Sequence, residues 1–325
     1  MIFIRSALWI SAICTAAYAA AVGAPRSTGV TIRDIAQFPN GTWIENAIFR
    51  ESNGQLLVTL LTTPDIYQVD PSGKTLPKHI LSIPGYIGVL GIAELSPDVF
   101  AVITGNFTLS TFATVPGSYA IWKVDLRSSP PKSNKVTDIP AANLLNGMSI
   151  LDTKGNILVG DGGVGVVYRV DAYTGNYTIV LDEPEMKPLA GGSLQLGING
   201  VHTRGAFLYF SSTTQGLFAR VPIHPDGTAN GAVQVIAKPG FVDDFTFDAS
   251  GNAFVCTNSG NTVVKVTPAG VVTTVAGSAN STAVAGTTSA HFGLGANAAT
   301  LYVTQNGQFN MATYETHVLA IAGLV

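Results

Sequence analysis

Charge is scarce in this sequence. Only 11% of its 325 residues are Asp, Glu, Lys or Arg, leaving a formal net charge of -3 and a pI near 5.9. That balance gives no electrostatic footprint for nucleic acid. Cysteine is scarcer, with Cys14 and Cys256 alone. The one long apolar run, Ser6 to Tyr18, follows a short basic start ending at Arg5 and precedes Ala17-Tyr18-Ala19, a small-x-small cleavage pattern. Residues 1–19 therefore read as a secretory signal, because the run is too short to span a bilayer. Cleavage would remove Cys14 and leave Cys256 without a disulfide partner, as a buried small hydrophobe. The mature protein is expected to be secreted, with no membrane attachment, and carries sequons at Asn40, Asn106, Asn176 and Asn280.

Familiar catalytic signatures are also missing. The five histidines, 79, 202, 224, 291 and 317, show no His-Glu-x-x-His zinc spacing. There is no Gly-x-Ser-x-Gly elbow and no phosphate loop, and Gly160-Asp161-Gly162-Gly163 reads as a strand-end turn. No linker or composition break divides the chain, so residues 30–325 are expected to form one domain.

What is present is a repeat. Val, Ile, Thr and aromatic residues crowd short runs separated by Gly, Asn, Asp and Pro, the pattern of an all-β protein. The stretch Trp43–Thr59 reads as a polar residue, a strand, an Asn53-Gly54 turn with both turn residues at positive φ, and a second strand. Similar units start at Asn146, Asn199 and Asp243, and weaker ones near Val89 and Ala290. Six units of 45 to 55 residues with about four strands each predict a six-bladed β-propeller. Isolated blades cannot bury both faces, so the six must close into a ring. Residues 30–35 are expected to supply the outermost strand of the last blade, pairing an otherwise open edge.

Residues in equivalent register converge on one mouth of a propeller channel. Here they read Glu45, Val89, Asn146, Asn199, Asp243 and Ala290. Two carboxylates and two amides suit a hard cation such as Ca²⁺; hydrogen bonding that terminates the strands is the alternative. His202 and His291 fit either a channel-facing role, His202 as a base, or ordinary blade positions. Three long connections carry apolar residues: 106–119 with Phe107 and Phe112, 182–196 with Met186, Leu189 and Leu194, and 305–316 with Phe309, Met311 and Tyr314. They form either an apolar rim over a central pocket or loops packed on the body. With no Arg or Lys beside Asn146, Asn199 or Asp243, the expected ligand is a hydrophobic small molecule, contacted by Trp43, Phe112, His202, His291 and Phe309.

The spacing of Glu45, Asn199-Gly200 and Asp243 to Asp248-x-x-Gly251-Asn252 resembles the senescence-marker-protein/gluconolactonase-like six-bladed propellers. That resemblance implies Glu45, Asn199 and Asp243 as ligands of a divalent cation, Asn146 as a substrate-side amide, and lactone hydrolysis. The family's Glu-Gly-Pro is Glu45-Asn46-Ala47 here, and its Pro-Asp-Gly is Val242-Asp243-Asp244. Trp43-Ile44-Glu45-Asn46, Leu145-Asn146-Gly147, Asp243-Asp244-Phe245 and the tail Gly286–Gly293 before Leu301-Tyr302-Val303 resemble a secreted fungal branch of these propellers. Some of its members are hetero-Diels-Alderases that join a tropolone quinone methide to a sesquiterpene polyene. That resemblance implies Glu45, Asn146, Asn199 and Asp243 as catalytic residues with no required cofactor.

Overall fold

A computed structural model describes residues 29–108, 111, 113–192, 194–307 and 315–324. The expected leader at 1–19, Phe112, and Phe309, Met311 and Tyr314 lie outside the described residues.

Six four-stranded antiparallel sheets form the blades of a propeller. Blade one contains Ile44–Phe49, Leu56–Leu60, Asp65–Val69 and Lys78–Ser82, and blade two Gly88–Ser96, Val99–Gly105, Ala120–Asp125 and Lys132–Asp138. Blade three contains Leu145–Ile150, Asn156–Asp161, Val166–Asp171 and Tyr177–Leu181; blade four Ile198–Arg204, Phe207–Ser212, Leu217–Pro222 and Gln234–Ala237. Blade five contains Phe245–Phe247, Ala253–Cys256, Thr262–Val266 and Val272–Gly277. Blade six combines Thr287–Phe292, Leu301–Gln305 and Thr316–Ala322 with Thr31–Phe38, which pairs Ile32 to Ile321 and Phe38 to Thr316. The early segment thus closes the ring.

Burial falls from the axis outward, and the sequence follows it. Second strands such as Leu56–Leu60 and Val99–Gly105 are wholly buried because both faces meet neighbouring blades, so they read as unbroken apolar runs. Outer strands such as Lys132–Asp138 are largely exposed and polar. Each seam between blades carries its own apolar cluster. Leu57, Val89 and Phe100 fill the first seam, for example, and Phe210, Leu158 and Ile198 the third. Cys256 is free and fully buried in the seam between blades five and six, as a small hydrophobe would be.

The inner hairpins repeat one turn. Asp152 accepts from the Asn156 amide N–H at 3.1 Å and from its Nδ2 at 2.8 Å, with Gly155 at φ +92°. Asp248 does the same for Asn252 at 2.8 and 2.7 Å, with Gly251 at φ +84°. Only glycine takes that backbone without strain. The turn at Asn53-Gly54 differs from expectation: Gly54 alone has positive φ, +68°, and its N–H bonds the Arg50 carbonyl at 2.8 Å. The loop is longer than a two-residue turn, so Asn53 keeps an ordinary backbone and its Oδ1 caps the Gln55 N–H at 3.0 Å.

Two of the three long connections contribute core rather than rim. Phe107 is buried in the seam between blades two and three, and Met186 in that between blades three and four. Each is the apolar side chain that its loop uses to anchor itself. Leu189 and Val115 remain exposed. In an up-and-down blade, the second-to-third and fourth-to-first connections share the face on which the innermost strands begin. The described parts of these connections therefore lie on the Glu45 face. Asn40, Asn176 and Asn280 are exposed, whereas the half-buried Asn106 accepts the Ile87 N–H at its Oδ1, 2.8 Å away.

Candidate functional site

A bulge near the start of each innermost strand builds the site. In blades two, three, four and six the pairing register slips between Val89/Ile92, Leu145/Met148, Ile198/Val201 and Thr287/Ala290. Blade one slips between Ile44 and Asn46. In blade five the Asp243 N–H bonds the Cys256 carbonyl, and the Cys256 N–H bonds the Asp244 carbonyl. Two residues thus face one on the next strand, which turns both inner side chains from the blade core. The first bulge positions are Glu45, Leu90, Asn146, Asn199, Asp243 and Thr288. The structure therefore replaces Val89 and Ala290, expected from sequence, with Leu90 and Thr288. Blade two has no polar marker, and blade six reads Thr287-Thr288-Ser289, so sequence parity alone did not fix their register.

The second positions are Asn46, Gly91, Gly147, Gly200, Asp244 and Ser289. The glycines let adjacent blades touch. A Cβ at Gly91, Gly147 or Gly200 would come within 2.3 Å of the Asn146 carbonyl oxygen, 2.2 Å of the Asn199 carbonyl oxygen, or 2.4 Å of Asp244 Oδ1, respectively.

The upper tier brings all four sequence-predicted polar residues together in burial. Trp43 Nε1 donates to Glu45 Oε2 at 2.5 Å, and the Asn146 side chain also bonds Glu45. Asn199 bonds Asp243, and its Nδ2 donates to Thr213 Oγ1 at 3.1 Å. Asn258 Nδ2 donates to Asp243 Oδ2 at 2.7 Å. Thr213 and Asn258 lie in second-to-third-strand turns, so the face that carries the long connections also clasps the site. Trp43 is thus a direct partner of a site carboxyl.

Burial, with the charge of Asp244 adding to it, pushes the Glu45 carboxyl up to about 7 against the pull of Trp43 and Asn146. Burial and then the Glu45 charge raise Asp243 well above the usual carboxylate range. Two carboxyls this close in a dry site favour a shared proton or a cation between them. Asn199 Oδ1 is buried without a hydrogen-bond partner among the described residues. The set Glu45, Asn199 and Asp243 offers only oxygens, one of them unsatisfied, and so fits a divalent cation in donor chemistry. It contains two carboxylates rather than three. Among the described residues, no group of three His, Cys, Asp or Glu is gathered for a metal.

In the lower tier sequence reasoning named His202 and His291 but missed Asp244, Asn46 and Ser289. Asp244 accepts from Asn46 Nδ2 at 3.1 Å, Ser289 Oγ at 2.9 Å and His202 Nε2 at 2.8 Å. Burial alone would raise its pKa, but the charge and hydrogen bond of His202 hold it below the ordinary value. Phe245 meets the His202 ring edge-on at 4.7 Å between centroids, and the His291 ring lies 6.3 Å from it. Burial lowers His291 to about 4, so it is neutral at pH 7. The doubled carboxylate of Val242-Asp243-Asp244 was the available signal. Its partners lie 42 to 198 residues away in the chain.

Two surface clefts lie elsewhere. One, of about 340 Å³, is lined by Arg50, Gln68 and Lys78 among others, and one of about 560 Å³ by residues including Phe38, Leu76 and His317. Neither is lined by a residue of the two tiers.

The six four-stranded blades define a six-bladed β-propeller. The solved luciferin-regenerating enzyme superposes with a TM-score of 0.68 at 18% identity, over 91% of this chain and 96% of that one. The calcium-binding regucalcin of Agrobacterium tumefaciens gives 0.63 at 16%, over 90% and 93%. No protein-family profile matches the chain. In sequence it is similar to the "Putative hetero-Diels-Alderase asR5" of Sarocladium schorii, 29% identical across 66% of this chain, and the match spans 59% of that protein's length. A "Putative hetero-Diels-Alderase" of a Phoma species is 27% identical across 66% of this chain and 69% of its own.

Proposed function

We propose that this protein is a secreted hetero-Diels-Alderase that couples a tropolone-type quinone methide to a sesquiterpene polyene. The observation that carries the reading is the buried Glu45 carboxyl, raised to about 7 and bonded by Trp43 and Asn146. A carboxylic acid that keeps its proton near neutral pH can donate it where most carboxyls cannot. The names borne by the two relatives support the same reaction class.

The precursor is a ring carrying a hydroxyl beside a carbon that bears a second hydroxyl. Glu45 gives a proton to the departing hydroxyl, the carbon–oxygen bond breaks, and water leaves. Loss of the ring-hydroxyl proton completes the quinone methide, an oxygen-containing diene. The Asn146 amide donates to its carbonyl oxygen and makes the diene more electron-poor. The polyene double bond then adds across it, forming one carbon–carbon and one carbon–oxygen bond. Holding both partners in that pose is worth up to about 7–11 kcal/mol in favourable cases. Asn199 and Asp243 orient the oxygenated partner, and Trp43, His202 and His291 bound the space it occupies. No cofactor is required by this scheme.

A second reading rests on the unsatisfied Asn199 Oδ1 beside two crowded carboxyls. A divalent cation such as Ca²⁺ held by Glu45, Asn199 and Asp243 would polarise a lactone carbonyl, as a gluconolactonase-type hydrolase requires. A hydrophobic-ligand-binding propeller without turnover is the remaining alternative.

The test supplies purified protein with a quinone-methide precursor and a terpene alcohol, with and without chelator, and follows rate and stereochemistry of the adduct. Acceleration over the spontaneous mixture that survives chelator is the expected result. No gain over that mixture removes the cycloaddition, and chelator-sensitive turnover of simple lactones moves the assignment to the hydrolase.

A further inference from the structure

We propose that His202, oriented by Asp244, is the base that takes the ring-hydroxyl proton when the heterodiene forms. This rests on the reading above and assigns the half of its first step that the upper tier does not perform.

Geometry carries the assignment. Asp244 sits at the second bulge position of blade five, 4% exposed. Its Oδ2 is held by Asn46 Nδ2 from blade one at 3.1 Å and by Ser289 Oγ from blade six at 2.9 Å. Its Oδ1 meets His202 Nε2 from blade four at 2.8 Å. A carboxylate tied from three other blades cannot turn. As an ionised acceptor it accepts a proton-bearing Nε2, so the imidazole lone pair lies on Nδ1. Phe245 buttresses the ring edge-on.

Nδ1 has no hydrogen-bond partner among the described residues, and the His202 side chain is 23% exposed whereas that of Asp244 is 5% exposed. The imidazole is thus the more accessible partner of this pair. Gly200 helps, because a Cβ there would strike Asp244 Oδ1 at 2.4 Å and push the carboxylate from its bond to His202.

In the step, Nδ1 takes the proton of the ring hydroxyl, and the oxygen's electron pair becomes the carbonyl π bond. The ring π electrons shift to form the exocyclic double bond. The departing hydroxyl leaves with the bonding pair and a proton from Glu45 or the medium, as water. Nothing is oxidised or reduced. His202 is the catalytic residue, and Asp244 the positioning residue that fixes its tautomer.

The experiment compares two routes to the same adduct. One starts from the hydroxyl-bearing precursor; the other releases the quinone methide chemically from a silyl-masked fluoride inside the assay. His202→Ala should slow the hydroxyl route about 100-fold, far more than it slows the released route, which loses only the wall that His202 contributes, and added imidazole should restore the hydroxyl route. Asp244→Asn should slow the hydroxyl route without rescue by imidazole. Circular dichroism checks each variant, and if Asp244→Asn does not fold, His202→Ala and its rescue decide the matter. Equal losses on both routes, or no loss on the hydroxyl route, overturn the proposal. Should wild-type protein fail to speed capture of the released quinone methide, a thiol trap separates the two ideas. Trapped dehydration that depends on His202 upholds the base and removes the cycloaddition; wild-type protein that does not accelerate dehydration overturns the base.

Discussion

Asp243 and Asp244 are adjacent in the chain and equally deep in the propeller, yet their carboxyls are driven in opposite directions. Burial of Asp243, with the Glu45 charge beside it, outweighs the amide donors Asn258 and Asn199 and raises its pKa. Asp244 is held by Asn46 and Ser289 and faces His202, whose charge and hydrogen bond outweigh the same burial. Depth in a dry site does not set the charge of a carboxyl; the sign and number of what surrounds it does. Environments that split titratable neighbours in this way separate acid from base. On the proposed reading the upper tier is the acid side, the lower tier the base side.

The comparison breaks most directly at Asp244. Asp244→Ala leaves two hydrogen-bond donors and an imidazole buried without their acceptor, and should cost about 3–5 kcal/mol in chemical denaturation. Asp243→Asn, one residue away, relieves repulsion and should leave stability at pH 7.5 unchanged or higher. A large loss in both would erase the distinction between the tiers.

Next in size is the acid. Coupling by the wild-type protein should fall as pH rises through about 7, where Glu45 loses its proton. Glu45→Gln should lower the rate at pH 6 by about 100-fold and abolish that limb. A variant that keeps the wild-type pH profile would move the acid elsewhere.

Gly147→Ala tests the contact between blades three and four. Its Cβ would lie 2.2 Å from the Asn199 carbonyl oxygen, a backbone atom that cannot swing away. A loss of about 1–3 kcal/mol is expected in thermal or chemical unfolding, with reduced stereoselectivity because Asn199 is displaced. Wild-type selectivity would show that the seam tolerates the methyl group.

The smallest effect is on stability against pH. The folded Glu45 pKa of about 7 stands above the 4.5 of a free glutamate, so the folded chain binds the proton more tightly. The contribution is full below about pH 4.5 and is lost as pH rises through about 7. Melting temperatures of wild type and Glu45→Gln should therefore diverge by a few degrees between pH 5 and pH 8, with wild type losing more. Parallel curves would mean that Glu45 ionises as freely folded as unfolded.

Much of this architecture was legible in the sequence. Strand runs such as Leu56–Leu60, the Asp-x-x-Gly-Asn turns at 152–156 and 248–252, and the register of Glu45, Asn146, Asn199 and Asp243 are local signals. The bulges were not legible, because a one-residue slip leaves composition unchanged while moving a side chain to another face. That is why Leu90 and Thr288 were misplaced. Asp244 went unnoticed because its three partners come from three other blades. Phe107 and Met186 looked like rim residues because apolar content alone does not distinguish a loop's anchor from its exposed tip.

The strand Thr31–Phe38 is made early and used late. During synthesis it has no partner until Thr316–Ala322 emerges, so the ring stays open while five blades stack. Its length and its pairing across nearly the whole chain give a high contact order, which slows the final closure. Until then the free edge of blade six offers a template to any passing strand, including the same segment of another copy. The exposed, polar Thr31–Asp34 end of that strand suits a segment that must wait in water without pairing wrongly. The yield of folded protein should therefore respond to substitutions at 31–38 more strongly than equilibrium stability does, because closing time rather than final energy governs escape from aggregation.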